Sequence, residues 1–407
     1  MSRFLFVVPP LVGHINPAAG VAAELAARGH EPAWACADPG LVRRLAGADA
    51  VVFPCAGPVP GEGEGVRPPD LRGPEALKFL WERFLVPLAE DMAPGVRTAV
   101  DEFRPDAVVA DQQALAGGLV AELLGVPWAT SATTSAEFTD VLAGMPKVAD
   151  WLAGLLRTLR TRVGDPSGTA DPRFSPHLVL AFSTPELVGP GARTGRQIHW
   201  VGPAVPPRPA PPGFPWDWLD PGRSAVLVTL GTANTDVGAR FLTECLTALR
   251  ARADRVQAVI ADPGGVLGAD GRTAGDPAPG DDKDVLVLPS VPQLPLLERV
   301  DAVVCHAGHN TVCEALWHGV PLVVAPIRDD QPVVAGQVTG AGAGVRVRFG
   351  RVTAAGLGAA IDTVLHEPGP RAAAGRIRTA FRAAGGTRAA ATRLELLAGG
   401  ATTKEAP

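Results

Sequence analysis

The sequence predicts an α/β protein with two doubly wound parallel sheets, one in each half of the chain. Apolar runs alternate with helical patterns, which is typical of strands joined by crossover helices. A proline-rich segment interrupts this alternation near the middle of the chain, and the same alternation restarts after it. At 407 residues, the chain also exceeds what one hydrophobic core usually serves, so two domains are expected.

Each predicted strand is a short apolar run, and each predicted helix has apolar residues at helical spacing. In the first half, the predicted strands are 4–8, 31–37, 51–54, 107–110 and 128–131, with helices at 17–28 and 115–124. In the second half, the predicted strands are 225–230, 257–261, 285–288, 302–305 and 322–325, with terminal helices at 373–383 and 387–397. The glycine-rich stretches 56–73 and 264–282 are predicted as loops.

Prolines cluster in the segment 203–216, which should therefore form a stiff, extended connector between the domains. They are Pro203, Pro206, Pro207, Pro209, Pro211, Pro212 and Pro215. The segment separates an N-terminal domain, 1–202, from a second domain, 217–385. Residues 386–407 are expected to form a C-terminal helix and tail.

Composition and charge limit the possible partners. The net charge of −5 gives no basic surface, so a nucleic-acid partner is not expected. No uninterrupted apolar window of about 18 residues is present to span a membrane, and the apolar run 4–8 is too short for a secretory signal. The five cysteines are odd in number and lie mostly in apolar runs, which indicates reduced thiols. We therefore expect a cytoplasmic protein, either a monomer or a homodimer.

A strand, a turn and a helix that together can hold an anion are predicted late in the chain. The apolar residues 301–305 fit a buried strand and 312–317 fit a helix, so 306–311 should form the turn between them. Backbone N–H groups and the positive end of the helix dipole point out of such a turn. Gly308 allows a ligand to approach the backbone closely, and His306 offers a further hydrogen-bond donor.

The helix after this turn adds a carboxylate, which makes a nucleotide the favoured ligand. Glu314 follows Asn310 by four residues and shares its helical face, where it can accept hydrogen bonds from ribose hydroxyls. Simpler interpretations remain open: Asn310 or Thr311 only caps the helix, Glu314 is solvated, and His306 is a histidine at a strand end whose hydrogen bonds are made within the protein.

A metal site is a further alternative for the same segment. The soft ligands at short spacing are Cys305, His306, His309 and Cys313. They are divided among the predicted strand, turn and helix instead of forming paired ligand knuckles, and this disfavours a metal.

The first domain contains a second constellation of polar residues. His14 lies between the first strand and the following helix, at the carboxyl edge of the sheet, where open α/β folds bind ligands. Asp111 ends another strand of the same sheet, so its carboxylate can reach the histidine ring. A histidine with a pKa of about 6.5 is suited to remove the proton of a hydroxyl nucleophile, and an aspartate can fix its tautomer. Alternatively, His14 only bonds within a turn and Asp111 caps a helix that starts near Gln113.

A third element is the turn that follows the first strand of the second domain. Gly231 frees the backbone there, and the hydroxyl of Thr232 can donate to a phosphate oxygen. A plain turn with no ligand is the alternative, because glycine and threonine are common in turns.

The segment 291–331 resembles the donor-binding signature of the UDP-glycosyltransferase-like family, a group of inverting GT-B enzymes. The resemblance implies base contacts at Val291, Pro292 and Gln293, diphosphate contacts at His306, Gly308, Asn310 and Thr311, a ribose ligand at Glu314, and sugar-hydroxyl contacts at Asp330 and Gln331. The family usually has a tryptophan two residues before that proline to stack on the base. This chain has Ser290 at that position.

The resemblance extends to the first domain and to both ends of the chain. Gly13, His14, Asn16 and Pro17 look like the family's catalytic-histidine loop, and Asp111 stands where its partner aspartate is found. Within the family, the sequence is most similar to bacterial macrolide-type and carotenoid-type transferases.

The resemblance implies a GT-B fold, with two Rossmann-like domains facing each other across a cleft. It implies an inverting transfer of a hexose from UDP-glucose or a dTDP-sugar to a hydroxyl of a small apolar natural product, as in antibiotic biosynthesis. Neither a metal nor another cofactor is expected, because helix and side-chain donors can meet the charge of the leaving diphosphate. Two alternatives remain, a nucleotide-sugar epimerase on the same scaffold and a non-catalytic sugar-nucleotide-binding partner protein.

Overall fold

The chain forms two compact units, which a computed structural model describes for residues 1–59, 71, 73–139, 142–206, 208, 213–231, 238–267 and 282–402. The first unit contains Met1–Pro185, Gly191–Pro206 and Phe381–Pro407, and the second contains Glu186–Pro190 and Pro207–Ala380. These limits differ from the predicted domains, because the chain returns to the first unit before residue 385. Most of the predicted loops 56–73 and 264–282, and part of the connector 203–216, lie outside the described residues.

The first unit contains a seven-stranded parallel sheet. Its strands are β1 (Arg3–Val7), β2 (Glu31–Cys36), β3 (Val52–Pro54), β4 (Ala107–Asp111), β5 (Trp128–Ala132), β6 (Leu178–Ala181) and β7 (Ile198–Trp200). Their order is β3-β2-β1-β4-β5-β6-β7, so the winding reverses between β1 and β4. In open α/β sheets, ligands bind beyond the carboxyl ends of the strands at such a switch point.

Helices cover both faces of this sheet. They are α1 (Val12–Ala27), α2 (Pro39–Ala46), α3 (Gly73–Phe79), α4 (Val86–Phe103), α5 (Leu115–Leu123) and α6 (Pro146–Val163). The short helix α7 (Pro185–Val188) follows β6 and belongs to the second unit from Glu186 onward. Side chains of β1 alternate between two apolar clusters: Phe4 belongs to the cluster that contains Ile15 of α1, and Leu5 belongs to the one that contains Met92 of α4. The strand is therefore buried on both faces, which explains its continuous apolar run.

The second unit contains a six-stranded parallel sheet. Its strands are β8 (Ser224–Thr229), β9 (Val256–Ala261), β10 (Val285–Leu288), β11 (Ala302–Cys305), β12 (Leu322–Val324) and β13 (Gly344–Arg346). The helices that follow β8 are α8 (Ala239–Arg250), α9 (Gln293–Leu297), α10 (His309–His318), α11 (Gln331–Gly340), α12 (Ala354–His366) and α13 (Pro368–Ala384). The strand order β10-β9-β8-β11-β12-β13 places the switch point between β8 and β11.

The last helix, α14 (Gly386–Thr402), belongs to the core of the first unit. Leu394 is fully buried in the same apolar cluster as Ile15. At the edge of this contact, Glu395 accepts from Arg28 at 2.9 Å and lies 3.0 Å from Nε2 of His30. Helix α14 therefore completes the apolar cluster that contains residues of α1. None of the helices in the described part of the chain has the length and apolarity needed to cross a membrane.

Candidate active site

His14 lies in the first turn of α1, at the carboxyl edge of the first sheet. The helix begins at Val12, so the predicted start at Pro17 is wrong, and His14 is part of the helix instead of preceding it. Pro17 lies inside the helix, where its ring nitrogen cannot donate a hydrogen bond to the carbonyl of Gly13. Ile15, fully buried in the core, anchors the first turn. A helical backbone therefore sets the direction of the imidazole.

Asp111 ends β4 and faces His14. Nδ1 of His14 lies 2.9 Å from Oδ1 of Asp111, whose side chain is buried, while the His14 side chain is 15% exposed. The Gln113 backbone N–H donates to the same Oδ1 at 2.8 Å. Asp111 is not the cap of the next helix, because α5 begins at Leu115 and Ala114 precedes it. Its carboxylate closes the turn before α5 and contacts the imidazole at the same time.

Thr133 also contacts this pair, although the local sequence pattern does not indicate it. Its Oγ1 lies 2.8 Å from His14 Nδ1 and 2.9 Å from Asp111 Oδ2. The contact of Thr133 with this pair follows from the register between β4 and β5. Asp111 pairs with Ser131 of β5, and residues two apart along an extended chain share one side of a sheet. Thr133 therefore could have been identified only once the pairing of β4 with β5 was known.

In the second unit, the turn after β11 is shorter than predicted. The helix α10 begins at His309 with Gly308 before it, so Asn310 and Thr311 lie in the first helical turn instead of in the loop. Neither of them is the residue that precedes the helix, as the simpler interpretation required. Backbone N–H groups in a first helical turn have no acceptor within the helix, and the positive end of the dipole lies there. This geometry favours an anion.

His306 lies between two glycines at the switch point of the second sheet. Gly231 follows β8 with a φ of +69°, a left-handed conformation that glycine adopts readily. A Cβ atom on Gly231 would lie 2.8 Å from Cε1 of His306, and one on Gly308 would overlap Nε2. Burial lowers the pKa of His306 to about 4, so the imidazole is neutral at neutral pH. Thr232, the predicted hydroxyl next to Gly231, lies outside the described residues.

Glu314 is buried on the inner face of α10, only 5% exposed, so the solvated alternative is wrong. Its carboxylate forms an ion pair with Arg208 and accepts a hydrogen bond of 2.6 Å from Nε2 of Gln293. Burial raises the pKa of the Glu314 carboxyl, while Arg208 and Gln293 oppose this shift. Arg208 belongs to the proline-rich connector, and nothing in its sequence context connects it with Glu314.

The predicted base-contacting turn joins β10 to α9. Ser290 is exposed, Val291 is half-buried and Pro292 is buried directly before the helix. Gln293 is the first residue of α9, so its bond to Glu314 connects this turn to α10.

Asp330 and Gln331 lie where α11 begins, beyond the end of β12, a neighbour of β11. Oε1 of Gln331 accepts hydrogen bonds from the backbone N–H groups of Ile327 and Arg328, at 2.9 and 3.1 Å. This contact shapes the loop before α11. The structure thus places the described donor-site candidates of the second unit on segments that follow β8, β10, β11 and β12, at the carboxyl edge of one sheet.

The metal alternative finds little support in the arrangement of its four residues. Cys313 Sγ lies 3.4 Å from Nε2 of His309 on the same helix. Burial raises the pKa of Cys305 to about 12 and that of Cys313 well above the usual range, which disfavours the thiolate form that binds metals. Over the ranges that the structure describes, no group of three or more His, Cys, Asp or Glu side chains could share a metal ion.

Comparisons with known proteins agree with this architecture. A family model described as UDP-glucoronosyl and UDP-glucosyl transferase matches residues 272–377. The 4'-demethylrebeccamycin synthase of Lentzea aerocolonigenes is 30% identical over 421 residues, which cover 94% of this chain and 96% of that protein. The demethyllactenocin mycarosyltransferase of Streptomyces fradiae is 31% identical over 426 residues, covering 97% and 86%. The crystal structure of the glycotransferase of kitacinnamycin has a TM-score of 0.79 at 25% identity, covering 97% of this chain and 98% of that one.

Two parallel-sheet units, each with polar residues at its switch point, define a GT-B glycosyltransferase, and the predicted fold class is confirmed. Similarity over nearly the whole length of the two bacterial relatives also settles the family. The chain belongs to the family of UDP-glucoronosyl and UDP-glucosyl transferases.

Proposed function

We propose that this enzyme is an inverting glycosyltransferase that moves a hexose from a nucleotide diphosphate sugar to a hydroxyl of a small, apolar natural product. The observation that carries this proposal is the contact between His14 and Asp111 at the switch point of the first sheet. The names of the two bacterial relatives, a demethylrebeccamycin synthase and a demethyllactenocin mycarosyltransferase, support an acceptor of the antibiotic class.

His14 is the general base of the proposed reaction. Nδ1 faces Asp111, so the proton on Nδ1 is directed to the carboxylate, and Nε2 remains to accept the acceptor's proton. The hydroxyl oxygen forms a bond to the anomeric carbon as the bond from that carbon to the diphosphate oxygen breaks on the opposite face. The proton moves to Nε2, and the leaving nucleotide diphosphate takes the electron pair. Asp111 stabilises the resulting imidazolium. An α-linked donor therefore yields a β-glycoside.

The second unit binds the donor in this proposal. Neutral His306 and the first turn of α10, with Asn310 and Thr311, meet the diphosphate, and Glu314 accepts from the ribose. Asp330 and Gln331 hold the hydroxyls of the hexose. These donors stabilise the leaving group without a metal ion. UDP-glucose and dTDP-sugars are the donors to test first, because nothing at Ser290 selects strongly for one base.

The proposal is tested by mass spectrometry of the purified enzyme with a grid of nucleotide sugars and of macrolide, polyphenol and terpenoid acceptors. We expect a mass gain of one hexose unit on an acceptor, and NMR of the product should show the β-anomer from an α-linked donor. An α-glycoside would contradict the inverting mechanism. An epimer formed from the donor alone would support the epimerase, and saturable donor binding without any turnover would support the non-catalytic binder.

We also propose that the enzyme works in the cytoplasm, as a monomer or a homodimer. All five cysteines are free thiols, and four of them are buried, which suits a reducing compartment. Light scattering after gel filtration measures the oligomeric state, and a mass beyond that of a dimer would contradict the proposal.

A further inference from the structure

We propose that Thr133 is a positioning residue of the catalytic base, and that its hydroxyl fixes the Asp111 carboxylate and the His14 imidazole in one mutual orientation. The inference rests on the proposed function, because it assigns Thr133 a role only if His14 is the base. Thr133 does not contact the substrate in this account, since it acts through the other two side chains.

The hydroxyl of Thr133 can satisfy both neighbours at once. It donates its single proton to Asp111 Oδ2 at 2.9 Å, and its oxygen then accepts from Nδ1–H of His14 at 2.8 Å. Nδ1–H thus lies between two acceptors, Thr133 Oγ1 and Asp111 Oδ1. The opposite tautomer would place the lone pair of Nδ1 against the carboxylate oxygen at 2.9 Å, which is unfavourable. The three-residue network therefore leaves the basic lone pair on Nε2.

The two oxygens of Asp111 are held by different partners. Oδ1 is fixed by the Gln113 backbone N–H and faces His14, whereas Oδ2 accepts from Thr133. Without the hydroxyl, the carboxylate could rotate about the bond to Cβ, and the imidazole would follow it. Because Thr133 is only 4% exposed, water could not easily replace its hydroxyl. A general base that is misaligned loses rate, because proton transfer needs hydrogen-bond geometry.

Thr130 provides a matched control on β5, the strand that leads directly to Thr133. It is also buried, and its hydroxyl bonds only with backbone groups in the contacts that the structure describes, donating to Arg173 O at 3.2 Å and accepting from Ser175 N–H at 2.8 Å. Thr130→Val removes a buried hydroxyl from β5 without touching His14 or Asp111. A purely structural effect of losing such a hydroxyl should appear equally in both variants.

The experiment compares kcat, KM for the nucleotide sugar and thermal unfolding among Thr133→Val, Thr133→Ser and Thr130→Val. Thr133→Val should lower kcat by roughly 10-fold, the worth of one net hydrogen bond in the transition state, and leave KM for the donor unchanged. Thr133→Ser, which keeps the hydroxyl, should restore kcat to within about threefold of the unmodified enzyme. Thr130→Val should keep kcat although its unfolding temperature falls. If Thr133→Val does not fold, Thr133→Ala serves in its place.

A double variant separates this inference from the proposed function. In a His14→Ala background, Thr133→Val should lower kcat no further, because the two residues act as one unit. An unchanged kcat in Thr133→Val, or an equal loss in both backgrounds, would overturn the role of Thr133. Full turnover by His14→Ala alone would instead refute the proposed base, whatever the Thr133 variants do.

Discussion

At the scale of single residues, His306 is kept neutral by its burial between Gly231 and Gly308. Burial lowers its pKa to about 4, below the ~6.5 of a histidine in an unfolded chain. As the pH falls, the unfolded chain therefore binds a proton before the folded protein does. The stability contributed by neutral His306 is present above pH ~6.5 and is lost progressively from there down to pH ~4.

The first prediction follows from this difference in pKa. The free energy of unfolding should fall by ~1.4 kcal/mol for each pH unit below pH ~6.5 on account of His306 alone. His306→Asn, which does not titrate, should show a flatter acid limb between pH ~6.5 and ~4.5. Urea unfolding of both proteins over this range measures the difference. Parallel curves would show that His306 keeps an ordinary pKa in the folded protein.

The second prediction concerns Ser290, the exposed residue before the turn that we propose contacts the base. Without a ring to stack on the base, the enzyme should bind UDP and dTDP with affinities that differ by less than about tenfold, since one methyl group contributes ~1 kcal/mol. Ser290→Trp should tighten both by ~1 kcal/mol through stacking, and Ser290→Ala should change neither. Calorimetric titration of each protein with UDP and with dTDP measures these affinities. A preference above tenfold in the unmodified enzyme would mean that another side chain already contacts the base.

Site residues next to a predicted strand can be identified from the local sequence. Site residues that come close only through the tertiary structure cannot. Asp111 and His306 lie at strand ends, and His14 lies in the first turn of the helix after β1. Because apolar runs mark these strands in the sequence, the edge of the sheet at which the three residues lie could be predicted. Thr133 depends on strand register, and Arg208 depends on where a proline-rich segment runs. Neither is encoded by local spacing.

At the scale of secondary-structure elements, α10 carries two features of the proposed donor site. Its first turn is the proposed anion site, and its inner face carries the buried carboxylate of Glu314. Gln293 of α9 and Arg208 of the connector both bond to that carboxylate, so three separate chain segments meet there. A buried carboxylate without a cationic partner is costly, because burial disfavours its charged form. The positive charge of Arg208 therefore opposes the rise in the pKa of the Glu314 carboxyl that burial causes.

The third prediction tests this arrangement. Arg208→Met should weaken nucleoside diphosphate binding by about tenfold, because an uncompensated Glu314 takes up a proton and accepts hydrogen bonds less well. Arg252→Met is the control, because Arg252 pairs with Asp362 at 2.7 Å in the same unit. Calorimetry should show nearly unchanged binding for the control. Equal weakening in both variants would mean that Arg208 only stabilises the second unit.

The boundaries of helices and the shortest strands are the elements that sequence patterns define least well. Pro17 suggested a helix start, but the buried Ile15 extends α1 back to Val12. β6, β7 and β13 are not among the predicted strands, although β3 and β12, with three residues each, are. β7 contains a histidine, and β13 contains a glycine and an arginine, so neither forms a continuous apolar run, whereas the apolar run of β6 was missed. The longer buried strands were predictable, because burial on both faces requires continuous apolar runs.

At the scale of the whole molecule, the chain begins and ends in the first unit, and α14 supplies part of its core.

The fourth prediction is that Leu394→Ala, at a position that is 0% exposed, lowers the free energy of unfolding by about 2 to 5 kcal/mol. Leu396→Ala on the same helix is the control, because Leu396 is 63% exposed. Nucleotide binding by the second unit should persist in both variants. Equal stability of the two would show that α14 is not part of the core.

We propose that one imidazole in the first unit supplies the base for transfer from a donor bound by the second unit. The most direct test is the rate of glycoside formation by His14→Ala at saturating donor, with nucleotide affinity measured on the same protein. We expect a loss of about 100-fold or more in turnover with nearly unchanged nucleotide binding. The control, His177→Ala, removes an exposed imidazole from the same unit and should keep full turnover. Undiminished turnover by His14→Ala would contradict the account.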